Sequence, residues 1–188
     1  MNMDEMKMMM DEDKERWSAI EGYEGYEIST KGRVRSYWKR NGLGHKKGFC
    51  YEISNEPHKN LNWCIDSHGY IQVNIKNKRI LVHRLLAITF IPNPHKYPLV
   101  DHIDRNPLNI SLSNLRWCSR QQNNLNSKLR KDNQHGTKGL LFRHNKWYYH
   151  YSSNGKLCWS SQFDTKEEAK EYRNKMVEEH YDKNFYTS

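Results

Sequence analysis

The apolar residues of this chain are few for one large core and come in short runs. The longest, Leu85 to Ile91, is broken by Thr89 and falls far short of a membrane-spanning helix. Hydrophobic residues make up 36% of 188 positions and aromatics 12%, with a mean hydropathy of −1.08. Such a chain is bounded to one ordinary domain or to two or three small, aromatic-rich modules with much polar surface. Modules of that size are commonly stabilised by a partner.

The charge says what kind of partner. The net charge is +9, but residues 1–15 hold Asp4, Glu5, Asp11, Glu12, Asp13 and Glu15 against only Lys7 and Lys14, so the rest of the chain is more basic still. A body of that sign favours a polyanion, because binding releases condensed counterions; a merely soluble basic surface is the alternative. Cys50, Cys64, Cys118 and Cys158 form no closely spaced pair, so no structural zinc is expected. The N-terminus alternates methionine with acidic residues and has no apolar centre, which is not the pattern of a signal peptide. The expectation is a protein of a reducing compartment, cytoplasmic, not secreted and without a membrane.

Alternation and turn chemistry divide the chain. Residues 1–15 carry high charge with few side chains able to pack and read as a disordered tail. Tyr26 and Ile28, the Thr30-Lys31-Gly32 turn and Val34 read as a hairpin with Arg33 and Arg35 on its far side. Residues 38–60, with Lys39, Arg40, His45, Lys46 and Lys47, read as a basic loop. Ile71, Val73 and Ile75 alternate ahead of a Lys76-Asn77-Lys78 turn, and His83 to Phe90 reads as a short helix stopped by Pro92. His83 is expected either to cap that helix or to contact phosphate. Ser119 with Gln122 forms a capping box at the start of a helix bearing Asn123, Asn124 and Asn126. Three asparagines in one short helix work against helix propensity, and a functional demand on at least one is expected. Beyond a linker at 128–135, three strands and a helix opened by Thr165 and Glu168 predict a last module.

The middle segment holds the chemistry. In Val100-Asp-His-Ile-Asp104, Asp101 and His102 are adjacent, and Asn114 and Asn123 follow. Phosphodiester hydrolysis needs a base for water and a cation that neutralises phosphoryl charge. An imidazole titrates near neutrality, which suits His102. Asp101 and Asn123 offer the oxygen donors that a hard cation prefers, and Asn114, expected on the second strand, would hold the His102 ring. Adjacent residues of a regular strand point to opposite faces, so the strand must open at the pair. Arg84, Arg105, Arg116 and Arg120 nearby suit a phosphate-bearing substrate. The alternative is a buried Asp-His pair in a core turn beside a solvated asparagine-rich loop.

Val82-His-Arg-Leu-Leu-Ala, Val100-Asp-His-Ile-Asp and Asn114-Leu-Arg-Trp-Cys-Ser-Arg-Gln-Gln-Asn123 resemble the HNH endonucleases of phage and intron homing systems, which have a ββα-metal active site. The resemblance implies His102 as general base with Asn114 as the middle asparagine, and Asp101 and Asn123 as ligands of a single Mg²⁺ or Mn²⁺. Gln122 stands where many relatives have glutamate. Gly-Tyr-Glu-Gly-Tyr-Glu-Ile-Ser and Gly-Arg-Val-Arg-Ser, within Trp17 to Ser36, resemble a NUMOD-type DNA-binding module. Lys146-Trp147 and Phe163-Asp-Thr-Lys-Glu-Glu-Ala169 resemble an APETALA2-type DNA-binding domain, whose sheet lies on the major groove. Trp147, Tyr149 and Tyr151 would then face the helix, and Tyr148, His150 and Ser152 the DNA, with Lys138, Arg143 and Trp159. Arg33 and Arg35 would touch phosphates.

The expected architecture is α+β: a tail (1–15), a NUMOD-type module (16–60), an HNH nuclease domain (61–127), a linker (128–135) and an APETALA2-type domain (136–188). The implied function is a site-specific homing-type endonuclease acting on double-stranded DNA as a monomer and nicking one strand. The rival is a DNA-binding regulator with a silent nuclease centre.

Overall fold

Residues 14–41, 50–153 and 156–180 are described by a computed structural model, and the chain divides between Trp117 and Cys118 into two compact units. The architecture is α+β, with small antiparallel sheets and short helices.

In the first unit, β1 (Trp17–Ala19), β2 (Tyr26–Ser29), β3 (Val34–Ser36) and β6 (Lys59–Leu61) form a sheet in that order. The β2–β3 turn is the predicted one. Gly32 has φ +77°, and a Cβ there would lie 2.5 Å from Ile110 Cδ1, so both conformation and space call for glycine. The basic loop expected over 38–60 is instead partly strand: β4 (Trp38–Asn41) pairs with β5 (Cys50–Ile53). Its register sets Lys39 opposite Glu52 and Trp38 opposite Ile53, and such cross-strand charge and apolar pairs stabilise a ribbon. His45, Lys46 and Lys47, and the tail to residue 13, lie outside the described residues.

The second hairpin joins β8 (Ile71–Ile75) to β9 (Lys78–Leu81), with β7 (Trp63–Ile65) on the other side of β8. Lys76 and Asn77 take positive φ in its turn, the geometry that matches strand twist in a two-residue hairpin. Helix α1 (Val82–Phe90) follows directly. Ile20, Ile28 and Val34 from the first sheet pack with Ile71, Val73, Ile75, Val82, Leu85, Leu86 and Leu115 in one core. The segments 16–60 and 61–127, separable on sequence, thus share their apolar interior. β10 (Leu99–His102) pairs with β11 (Leu115–Cys118), and a 3₁₀ turn, Leu112–Asn114, leads into β11.

The second unit opens on α2 (Arg120–Asn126), whose capping box is complete: Gln122 N–H donates to Ser119 Oγ, and Ser119 N–H to Gln122 Oε1. β12 (Leu140–Arg143), β13 (Lys146–Ser153) and β14 (Lys156–Trp159) form an antiparallel sheet covered by α3 (Lys166–His180). Trp147, Tyr151, Phe163, Tyr172 and Met176 surround buried Leu140, Tyr149 and Ala169, so the predicted inner face of β13 is the core face. Thr165 and Glu168 exchange the reciprocal bonds of the expected cap. Among the described residues no helix is long and apolar enough to cross a membrane.

Candidate active site

Asp101 and His102 end β10, and both are buried. The chain then turns at once: Ile103 N–H donates to Asn114 O at 2.9 Å, Arg105 N–H to His102 O at 3.0 Å, and Arg105 takes φ 62°. The strand thus ends at His102, with both residues of the pair still inside it. The two side chains meet different neighbours. Asp101 Oδ2 accepts two bonds from Arg116 on the adjacent strand, whereas the His102 ring lies among Tyr70 and His83.

His83 does not cap its helix. The N-terminus of α1 has no side-chain cap, and His83, in its first turn, is buried with its ring edge-on to His102. Its Nδ1 is buried with no hydrogen-bond partner among the described residues. Burial, reinforced by His102 and Arg84, pushes its pKa down to about 3, against a smaller opposing effect of Asp66. Burial also holds His102 below the usual imidazole value, although Asp101 and Asp104 pull it upward. Desolvation disfavours the charged imidazolium, which favours the neutral form of His102.

Asn114 falls at the end of the 3₁₀ turn rather than on the second strand, and its side chain does not hold the ring. Its Oδ1 accepts from Asp104 N–H at 3.0 Å, and its Nδ2 donates to Asp104 Oδ1 at 2.9 Å and to Asn109 O at 2.8 Å. It therefore fixes the loop leaving His102 and bears on that residue only through the backbone. Asp104 is exposed, and the loss of some solvent around its carboxyl pushes its pKa up. The bonds it accepts from Asn106 N–H, Asn109 and Asn114 outweigh that and keep it below the usual carboxylate range.

Arg116, expected at a phosphate, is half of an ion pair. Its Nε and Nη2 lie 3.0 and 2.9 Å from Asp101 Oδ2, with side chains only 14% and 8% exposed. The Asp101 carboxylate, already against a cation, is an oxygen donor of the kind that Mg²⁺ or Mn²⁺ prefers. Asn123 sits on α2, one turn past the Ser119 cap, and its N–H donates to Ser119 O.

The other cationic residues differ in their surroundings. Arg33 pairs with Glu15, and Arg35 pairs with Glu27 and stacks over Trp17. Arg84 is half-buried on α1, Arg105 lies in the loop after His102, and Arg120 is exposed at the start of α2. Lys138 is not on the outer sheet face. Its ammonium donates to Asn124 O at 2.6 Å, to Leu125 O at 3.0 Å and to both Ser127 oxygens, where a cation satisfies the last carbonyls of α2. Tyr148, His150 and Trp159 cluster on the face away from α3, with His150 opposite Trp159, and Arg143 is exposed at the end of β12.

Residues 81–125 match the HNH endonuclease family, and residues 15–76 match the NUMOD4 motif. The chain thus carries an HNH endonuclease domain and, before it, a NUMOD4 motif. It is 42% identical over 96 residues to an uncharacterised HNH endonuclease of Acanthamoeba polyphaga mimivirus, covering 45% of this chain and 29% of that protein. It is 32% identical over 112 residues to the DNA endonuclease I-HmuI of Bacillus phage SP01, covering 57% of this chain and 54% of the relative. A solved structure of DNA binding and cleavage by the HNH homing endonuclease I-HmuI is similar at 33% identity and a TM-score of 0.40, over 55% of this chain and 52% of that one. The chain therefore spans about half or less of the length of these relatives.

Sequence patterns did not single out Tyr70, Asp104 or Asn109. The Asp104-x-Asn106 pair and Asn109, a run of short side chains that bond nearby backbone, were the available signal for the loop.

Proposed function

We propose that the chain is a site-specific, divalent-metal-dependent DNA endonuclease of the homing type, nicking one strand as a monomer. The observation that carries this reading is His102: buried at the end of β10, next to Asp101 in the chain, within a segment that matches the HNH endonuclease family. In this reading His102 takes a proton from the attacking water, and Asn114 keeps the loop from carrying the base out of line. Asp101 and Asn123 would hold the metal, which supplies charge stabilisation to the phosphoryl oxygens. Residues 136–188 serve as an APETALA2-type DNA-binding domain, with Arg143, Tyr148, His150 and Trp159 toward the duplex. The net charge supports a nucleic-acid partner, and the protein works in the cytoplasm.

Supercoiled plasmid carrying DNA that flanks the gene, incubated with Mg²⁺ or Mn²⁺, tests the reading against a DNA-binding regulator with a silent centre. Wild type is expected to relax the plasmid and His102→Ala to leave it supercoiled. Identical outcomes for the two proteins would defeat the enzyme reading.

A further inference from the structure

The geometry points to Arg116 as a stand-in cation that holds the Asp101 carboxylate until substrate phosphate draws it away, so that metal loading is coupled to DNA binding. This rests on the nuclease reading above. The guanidinium gives two bonds, from Nε and Nη2, to one oxygen of Asp101. The pair is little exposed, so its charges are weakly screened by solvent salt. A divalent ion at Asp101 must share that carboxylate with the guanidinium or displace it, and two cations within a few ångströms repel at a cost that burial magnifies.

The release is mechanically simple. Arg116 and Asp101 lie on the paired strands β11 and β10, whose backbones are fixed by the ladder, while the arginine side chain has several rotatable bonds. A phosphate is the natural acceptor of the released group, because a guanidinium fork matches it as well as it matches a carboxylate. By linkage, whatever removes Arg116 from Asp101 raises the affinity for metal, and bound metal favours the arrangement that grips phosphate. Arg116 is thus a positioning residue that sets when Asp101 is available. Its pairing was invisible on sequence, where it counted as one more phosphate contact.

The test is Mn²⁺ binding to the full chain at pH 8 without DNA, read from the electron paramagnetic resonance signal of unbound Mn²⁺. Wild type is compared with Arg116→Gln, Arg116→Lys and the double variant Arg116→Gln/Asp101→Asn. Arg116→Gln is expected to bind roughly tenfold or more tightly than wild type, within the usual range of coupling between neighbouring sites. Arg116→Lys, which keeps the charge but loses the two-donor grip, should fall between them. The double variant should show no gain. Equal affinity in wild type and the single variants, or a gain that survives in the double variant, overturns the proposal. Should Arg116→Gln fail to fold by circular dichroism, Arg116→Lys against wild type decides. Failure of the nuclease reading shows elsewhere, as plasmid relaxation indifferent to His102→Ala, and leaves these isotherms unchanged.

Discussion

The His83 ring stands edge-on to the His102 ring, with centroids 4.8 Å apart, and Tyr70 leans on both. His102 is therefore walled by aromatic rings from α1 and from the approach to β8. His83 is the more deeply affected of the two histidines, and its pKa falls to about 3. Below pH 6.5 the unfolded chain protonates this imidazole while the folded chain resists until about pH 3. The unfolded state then binds more protons, and stability falls as pH drops through that window. Its contribution to the loss should reach about 3 kcal/mol by pH 4. Urea midpoints of wild type and His83→Phe, taken in steps from pH 7 to pH 4, check this. The variant should lose less stability on acidification, and parallel curves would show that His83 is not the source.

The depressed pKa of His102 has a kinetic counterpart. A base held below 6.5 by burial keeps its proton-accepting form at lower pH than a solvated imidazole. If His102 is the base of the proposed cleavage, the acid limb of its pH–rate profile should accordingly fall below pH 6.5. Single-turnover rates between pH 5 and pH 8 on a mapped target would show it. A limb at or above 6.5 would mean that the charge of Asp101 and Asp104 outweighs desolvation.

Asn114 makes three bonds to the loop after His102, and Asn114→Ala should lower stability by roughly 1–3 kcal/mol. Asn114→Asp separates shape from donor chemistry. It retains an acceptor for Asp104 N–H but turns an oxygen toward the Asp104 carboxylate and the Asn109 carbonyl, which repels both. At pH 7 it should be at least as damaging as alanine. Relative to wild type it should recover as pH falls to about 4, the ordinary carboxylate range, where a proton shared between the carboxyls restores a donor. Urea midpoints at the two pH values decide, and an Asn114→Asp penalty that ignores pH would remove Asp104 from the argument.

What could be read from sequence was local. The Ser119–Gln122 box, the Ile71/Val73/Ile75 alternation and the turn at Gly32 each depend on residues a few positions apart, and the structure forms all of them. That β10 gives way to a loop before Asn106-Pro107 also followed from local chemistry. The partners of charged groups did not. Arg116 meets Asp101 only because β10 and β11 pair, and Arg33 meets Glu15 across a hairpin. His83 reaches His102 because α1 packs its first turn inward. A positive charge on sequence signals affinity for some anion, and the fold determines whether that anion is a phosphate or a carboxylate of the same chain.

Lys138 and Arg143 make that distinction measurable. Both counted as DNA contacts on sequence, yet Lys138 is bonded to the carbonyls that end α2, while Arg143 is exposed at the end of β12. Each phosphate contact steepens the fall of log K with log salt by close to one unit on duplex DNA. Arg143→Ala should therefore flatten the salt slope of duplex binding by about one unit with little change in stability. Lys138→Ala should leave the slope unchanged and destabilise the protein by about 1 kcal/mol, the usual value of a helix-terminal interaction. Fluorescence anisotropy with a labelled duplex between 50 and 200 mM salt, the range over which such slopes are commonly resolved, gives the first quantity. Thermal melts give the second. A flattened slope for Lys138→Ala would mean that its ammonium leaves α2 when DNA binds.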